Sequence, residues 1–177
     1  MRVWRDRWGQ RVFNHGWTQV NTDNHMATLN DLTQGIYNRI TAAQQPTGAA
    51  PQLNGARVLV EDAHDLTTEI DKAIAKIGLL ILIGEPVFEQ TASEFSPTAT
   101  LKITTAVAIG EVPVVWRTND SRPKARDVAL LLTQLLHNLK IPGLANLRVT
   151  HCQFVPDRKR QLFELSLETF MTAAPLP

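Results

Sequence analysis

The stretch Leu101-Lys-Ile-Thr-Thr-Ala-Val-Ala-Ile109 decides the fold. Its larger apolar side chains, Leu101, Ile103, Val107 and Ile109, all fall on one set of alternate positions, with Thr105 between them, the period of a β-strand with one buried face. Downstream lies Arg126-Asp-Val-Ala-Leu-Leu-Leu-Thr-Gln-Leu-Leu136. There Val128, Leu131, Leu132, Leu135, Leu136 and Leu139 make a wide stripe at helical spacing, which must cover a sheet. A helix is predicted from about Pro123 to Leu139, entered through Asn119-Asp-Ser-Arg-Pro123 with proline in the first turn and ended by Ile141-Pro-Gly143. Two further strands, near Leu147–Val155 and Leu162–Met171, flank the basic turn Pro156-Asp-Arg-Lys-Arg160 and read as a C-terminal hairpin. Between the first strand and the helix, Val112, Val114 and Trp116 resume the alternation. Either a hairpin turns at Gly110-Glu111, or one long strand carries a glycine bulge.

Upstream, Thr28-Leu-Asn-Asp31 fits a capping box with Asp in place of the usual Glu. Leu29, Leu32, Ile36, Ile40 and Ala43 then share one helical face. Residues 44–56, with two prolines and two glycines, read as a flexible loop. Arg57–Glu61 is a short strand, and a second helix capped by Asp65 runs through Leu66, Ile70, Ala73, Ile74 and Ile77 to a stop at Gly78. Leu79–Ile83 is apolar throughout, as a strand buried on both faces requires, and Val87–Glu89 can continue it after Gly84 and Pro86. Residues 89–98 are polar and form a second loop. The expected fold is therefore α+β: a mainly antiparallel or mixed central sheet with about three helices packed on it, a C-terminal β-hairpin and an extended N-terminal arm. The domain spans 28–172, between an arm at 1–27 and a short tail at 173–177.

Composition excludes several functions. The formal net charge of +1 creates no global field that demands an anionic partner. The longest apolar run, Leu79–Ile83, is too short to span a bilayer, so no membrane partner is expected. No apolar segment follows the charged start Met1-Arg-Val-Trp-Arg-Asp6, so no leader is expected. The single cysteine, Cys152, rules out an internal disulfide and a multi-cysteine zinc site, and its place in a strand predicts a buried or half-buried thiol. No nucleotide-binding glycine loop, nucleophile elbow or zinc-protease helix motif occurs, and no cofactor is expected.

Three groups of residues are candidates for contact or chemistry. Glu61, Asp62, His64 and Asp65 are the densest ionisable cluster and offer metal or acid–base chemistry. The plainer reading is a strand-to-helix junction whose acids favour the helix N-terminus. Lone His137 and His151 read as structural. The arm carries Trp4, Arg5, Arg7, Trp8 and Trp17, three of the four tryptophans of the chain. Such residues anchor interfaces, fold back as a flap on their own domain, or grip single-stranded nucleic acid. Arg122, Lys124 and Arg126 at the helix entry, with Arg158, Lys159 and Arg160 at the hairpin turn, are basic groups that contact phosphates without reading sequence. As solvated surface they only keep the protein soluble.

The order of elements resembles the bacteriophage tail-terminator and tail-completion families. The likeness rests on Leu29–Ile40, the strand Leu101–Ile109, the helix 126–136 and the closing Leu162-Phe-Glu-Leu-Ser-Leu-Glu-Thr169, and it covers about residues 28–172. The Arg/Trp arm and the helix 65–77 are additions to the simplest members. The resemblance implies no enzyme, but a structural virion protein assembled in the host cytoplasm. It would form a homo-oligomeric ring, a hexamer, capping the tail tube and offering a docking surface to the head–tail connector or neck proteins, with its basic residues facing DNA in the lumen. Another neck or minor tail position is the near alternative; a small metal-binding or nucleic-acid-binding domain is the distant one.

Overall fold

The computed structural model describes residues 28–53, 56–61, 79–91, 99–111, 124–156 and 161–173. Its centre is strand β4, Ala99–Glu111, which contains the alternating stretch Leu101–Ile109. Six strands and two helices are present among the described residues: β1 Arg57–Val60, β2 Leu79–Ile83, β3 Val87–Thr91, β4, β5 Arg148–Pro156 and β6 Gln161–Ala173, with α1 Leu29–Gln44 and α2 Ala125–Leu136. The third expected helix, at 65–77, lies outside the described residues.

Strand β4 pairs antiparallel with β6 along its whole length, from Ala99 opposite Ala173 to Glu111 opposite Gln161. β6 pairs with β5 as the expected hairpin, with a bulge between Val149 and His151. On its other edge β4 meets two short strands end to end: β2 against Val107–Glu111 and β3 against Thr100–Thr104. The chain does continue from β2 into β3, through a break at Gly84-Glu85-Pro86. Between Ile83 opposite Val107 and Val87 opposite Thr104, the β2–β3 side advances one residue more than β4. Proline cannot donate a ladder bond, which suits the break. Gly84 donates its N–H to the Ala106 carbonyl at 2.7 Å, and its own carbonyl accepts the Thr105 hydroxyl at 2.7 Å. A Cβ on Gly84 would stand 3.2 Å from the Ala106 oxygen, so any larger residue would push the two strands apart by a few tenths of an ångström. β1 lies parallel to β2, which makes the sheet mixed and obliges the chain between them to cross over.

Residues up to Glu111 settle part of the open reading there. Gly110 pairs in register with both Leu80 and Leu162, so neither a turn nor a bulge falls at Gly110-Glu111. Residues 112–123 lie outside the described set.

Both helices pack on one face of the sheet. α1 opens with the capping box: Thr28 donates its N–H to Asp31 Oδ2 at 2.7 Å, and Asp31 returns its N–H to the Thr28 hydroxyl at 3.2 Å. Leu32, Ile36 and Ile40 are fully buried, as their spacing requires. The segment 44–56, expected to be a flexible loop, is tied down over its described residues. Gln44 Nε2 donates to the carbonyls of Leu53 and Ala56, and Leu53 is wholly buried in the core.

α2 buries Ala125, Val128, Ala129, Leu132, Leu135 and Leu136. Its start is capped from a distance. Lys124 makes no side-chain capping bond, and the Ala125 N–H is instead taken by the carboxylate of Glu111, fully buried at the end of β4. An acidic group at the positive end of a helix is stabilised by the dipole as well as by the bond. The helix stops three residues before the expected Leu139. Asn138, at φ 64°, turns the chain, and its N–H bonds to the Leu147 carbonyl at 2.8 Å. Asn tolerates the left-handed region, so it ends the helix before Ile141-Pro-Gly143 is reached.

The core between helices and sheet gathers Leu32, Ile36, Ile40, Ile81, Ile83, Ile103, Val107, Ile109, Leu132, Leu136 and Leu165. Each such side chain contributes about 1.5–3 kcal/mol on burial. Two threonines on that face are buried and satisfied: Thr105 by Gly84, and Thr169 through its bond to the Ala145 carbonyl at 2.6 Å.

Candidate interaction surfaces

The arm residues Trp4, Arg5, Arg7, Trp8 and Trp17 lie outside the described residues, as do Arg122, Arg158, Lys159 and Arg160. Lys124 and Arg126 are described, and both are exposed at the start of α2. Arg126 Nε stands 3.6 Å from Asp127 Oδ1 in a solvent-facing pair. The anchors of the two basic clusters converge. Gln161, the residue after Arg160, is paired with Glu111, and Glu111 holds Ala125, the residue after Lys124. Hairpin turn and helix entry are therefore rooted at the same end of β4. Sequence reasoning named both clusters, but it missed the buried carboxylate that joins them. A glutamate following a glycine near a strand end carries no signal for such a role.

Of the acidic cluster only Glu61 is described; Asp62, His64 and Asp65 lie outside. Burial holds the Glu61 carboxyl above its ordinary range; a bond from the Glu85 backbone opposes this, and the Glu85 charge adds to it. Among the described residues no group of three or more His, Cys, Asp or Glu side chains is placed to hold a metal. No described helix is long and apolar enough to cross a membrane.

Cys152 corrects an expectation. It is exposed, because β5 is the edge of the sheet and only its β6 side is paired. Its partial covering raises the thiol pKa, the opposite of what a reactive thiolate needs. His137 and His151 are exposed as well. His137 Nδ1 lies 3.4 Å from the Val149 N–H and helps hold the turn after α2, while His151 sits beside the β5 bulge.

The face of the sheet turned away from the helices divides along its length. Near the hairpin, Leu82, Ala108 and Leu162 form a small buried cluster with Leu59 and Val155. At the other end the same face is charged. Lys102 Nζ binds Glu168 Oε2 there at 3.0 Å, while Gln153 Nε2 donates to Glu164 Oε1 at 3.1 Å beside the apolar cluster, level with Ala108. Large apolar side chains are exposed at Phe88 on β3, Leu130 on α2 and Phe154 on β5. Phe154 is braced edge-on against Phe163, with centroids 5.5 Å apart.

No protein-family model matches the chain. No curated protein matches it either. Among solved structures its fold is similar to a chain of the structure described as "Virion of native gene transfer agent (GTA) particle". The match has a TM-score of 0.52 at 13% sequence identity and covers 80% of this chain and 95% of that one. At this identity the likeness is one of fold, and no residue's role is carried across.

Proposed function

We propose that the protein is a structural component of a phage-like particle, and within it a tail terminator: a ring, hexameric in the tail-terminator pattern, that caps the tail tube and receives the head–tail connector. The observation that carries this reading is the fold likeness to a virion chain that is spanned almost end to end. The pattern of elements over 28–172, resembling tail terminators, supports it independently. In this reading the described sheet and helices are scaffold, the Arg/Trp arm 1–27 docks on a subunit or neighbouring tail protein, and the work is binding, with no reaction. Lys124 and Arg126, with Arg122 and Arg158–Arg160, face the lumen, where cations pass DNA without reading its bases. The protein would assemble in the host cytoplasm and remain in the virion at the tail or neck. Omitting it from assembling particles tests the role. Tails of uncontrolled length, or tails that never join heads, are the expected result. Particles of normal tail length and normal joining would refute it.

A further inference from the structure

β5 stands at one edge of the sheet and β1 at the other, and the outer side of each is paired with no described strand. On β5 the open ladder is bounded at both ends. The turn after α2 occupies the approach: Leu147 donates to the Leu139 carbonyl at 2.9 Å and accepts from Asn138 at 2.8 Å, and Val149 donates to His137 Nδ1 at 3.4 Å. Pro156, with no N–H, closes the far end. What remains past the bulge is His151 to Val155. β1 offers a stretch of the same length, Arg57–Val60 followed by Glu61. The two stretches also lie at the same level. Followed across the sheet, Val58 is in line with Ile81, Ile109, Phe163 and Phe154, and Val60 with Ile83, Val107, Leu165 and Cys152. At these levels apolar cover runs out. Five strands side by side span about 24 Å, whereas two packed helices cover about 20 Å. α1 sits on β1 and β2 and α2 on β4, β6 and β5, and the shortfall is at β5, where Phe154 and Cys152 are exposed. On the opposite face the small apolar cluster ends at both edges in half-buried side chains, Leu59 on β1 and Val155 on β5.

We infer that β5 of one copy adds to the outer edge of β1 of a second copy, residues 151–155 lying antiparallel to 57–61, so that one sheet continues from subunit to subunit. The inference rests on the proposed ring and identifies the contact that closes it. Strand direction is compatible. β1 runs with β2, and β2, β4, β6 and β5 alternate, so β5 runs opposite to β1 and meets it antiparallel in a copy added in line. The level of the two edges then sets the register: Phe154 opposite Val58 of the second copy, and Cys152 opposite its Val60. Pro156 falls beyond the end of β1, where no ladder bond is asked of it. Phe154 and Cys152 gain the apolar neighbours they lack. Val155 comes within a diagonal step of Leu59 of the second copy, which joins the apolar cluster of one subunit to that of the next. His151 comes opposite Glu61, a ring N–H facing a carboxylate. Exposed strand edges invite pairing, and a two-fold contact of β5 with β5 would leave both β1 edges open. The head-to-tail contact uses both edges of every subunit and closes into a ring when the rotation per subunit permits.

The single cysteine of the chain makes this register testable. Directly opposed residues of antiparallel strands have Cα atoms about 4.5–5.5 Å apart, within reach of a disulfide. Val60→Cys places a second thiol opposite Cys152 of the neighbouring copy. Under mild oxidation it is expected to give a ladder of covalent oligomers that ends at the closed ring. The yield of species larger than a dimer should exceed that of the wild type at least tenfold, because one thiol per chain links no more than two chains. Diagonal neighbours stand about 7–8 Å apart, so Val58→Cys with the native Cys152 should stay near the wild-type yield. Val58→Cys with Phe154→Cys, in a Cys152→Ser background, is an opposed pair again and should restore the ladder. Circular dichroism checks that each variant is folded. A ring seen by sedimentation in which neither opposed pair joins, or in which the diagonal pair joins equally well, overturns the edge contact while leaving the ring reading standing. A wild-type protein that remains monomeric alone and in the presence of tail tubes removes the ring reading and the contact with it.

Discussion

On the helix side of the sheet the inward positions of the central strands are Ile81, Ile83, Ile103, Val107, Ile109, Leu165 and Leu167, all in one continuous core with α1 and α2. On the other side the alternating positions of the same strands are Leu82, Ala108, Leu162 and Glu164 near the hairpin, then Glu168 and Lys102 farther along. The first face is nearly all aliphatic, interrupted by the hydrogen-bonded Thr105 and Thr169, because any well-filled aliphatic layer stabilises the fold. The second mixes a small apolar cluster with a few charges, which add little stability in water. One sheet thus gives its alternating positions two different surroundings by the pleat alone.

Substitutions can sharpen that contrast, beginning with the core. Leu132→Ala removes a fully buried side chain of α2 and should cost about 2–5 kcal/mol, read by urea unfolding. Next is the join between the two layers. Glu111→Ala strips the carboxylate from the buried start of α2 and leaves the Ala125 N–H unpaired, at a cost of about 1–3 kcal/mol. Thermal unfolding should show this loss, and Glu111→Gln should recover part of it. Thr28→Ala removes the exposed capping box of α1 and should cost about 1 kcal/mol. On the charged face, a double-mutant cycle on Lys102 and Glu168 should find a coupling of only about 0–1 kcal/mol, shrinking with added salt. If that pair proved worth as much as Leu132, the division between the faces would fail.

The smallest effect concerns pH. Glu61 has its folded pKa raised, so the folded state holds its proton more tightly than the unfolded chain. Its contribution is fully present below the ordinary carboxylate range and is lost as pH rises through the folded value. Glu61→Gln should therefore leave stability at about pH 4 nearly unchanged and raise it slightly at about pH 7, seen as a shifted urea midpoint. A variant less stable at neutral pH would contradict the assignment.

Period and capping made most of the described fold legible. Strict alternation located β4, the leucine stripe located α2, and Thr28 with Asp31 marked the start of α1. Pairing was not legible in the same way. Nothing local in Leu79–Ile83 says that it lies parallel to Arg57–Val60, since that choice is made by contacts between distant segments. The end of α2 was misplaced because a left-handed asparagine is a weaker local signal than a following Pro-Gly. Cys152 was misjudged because an apolar neighbourhood in sequence does not reveal whether a strand is central or at the edge. The Lys102–Glu168 pair was invisible for a related reason: its members come from two strands, and only the register joins them.

The proposed position, at the head-proximal end of the tail of a phage-like particle, is tested by immunogold or tag-directed electron microscopy of purified particles. A single labelled point on each particle, between head and tail, is expected. Particles that lack the protein, or that carry it scattered over head or tube, would contradict it.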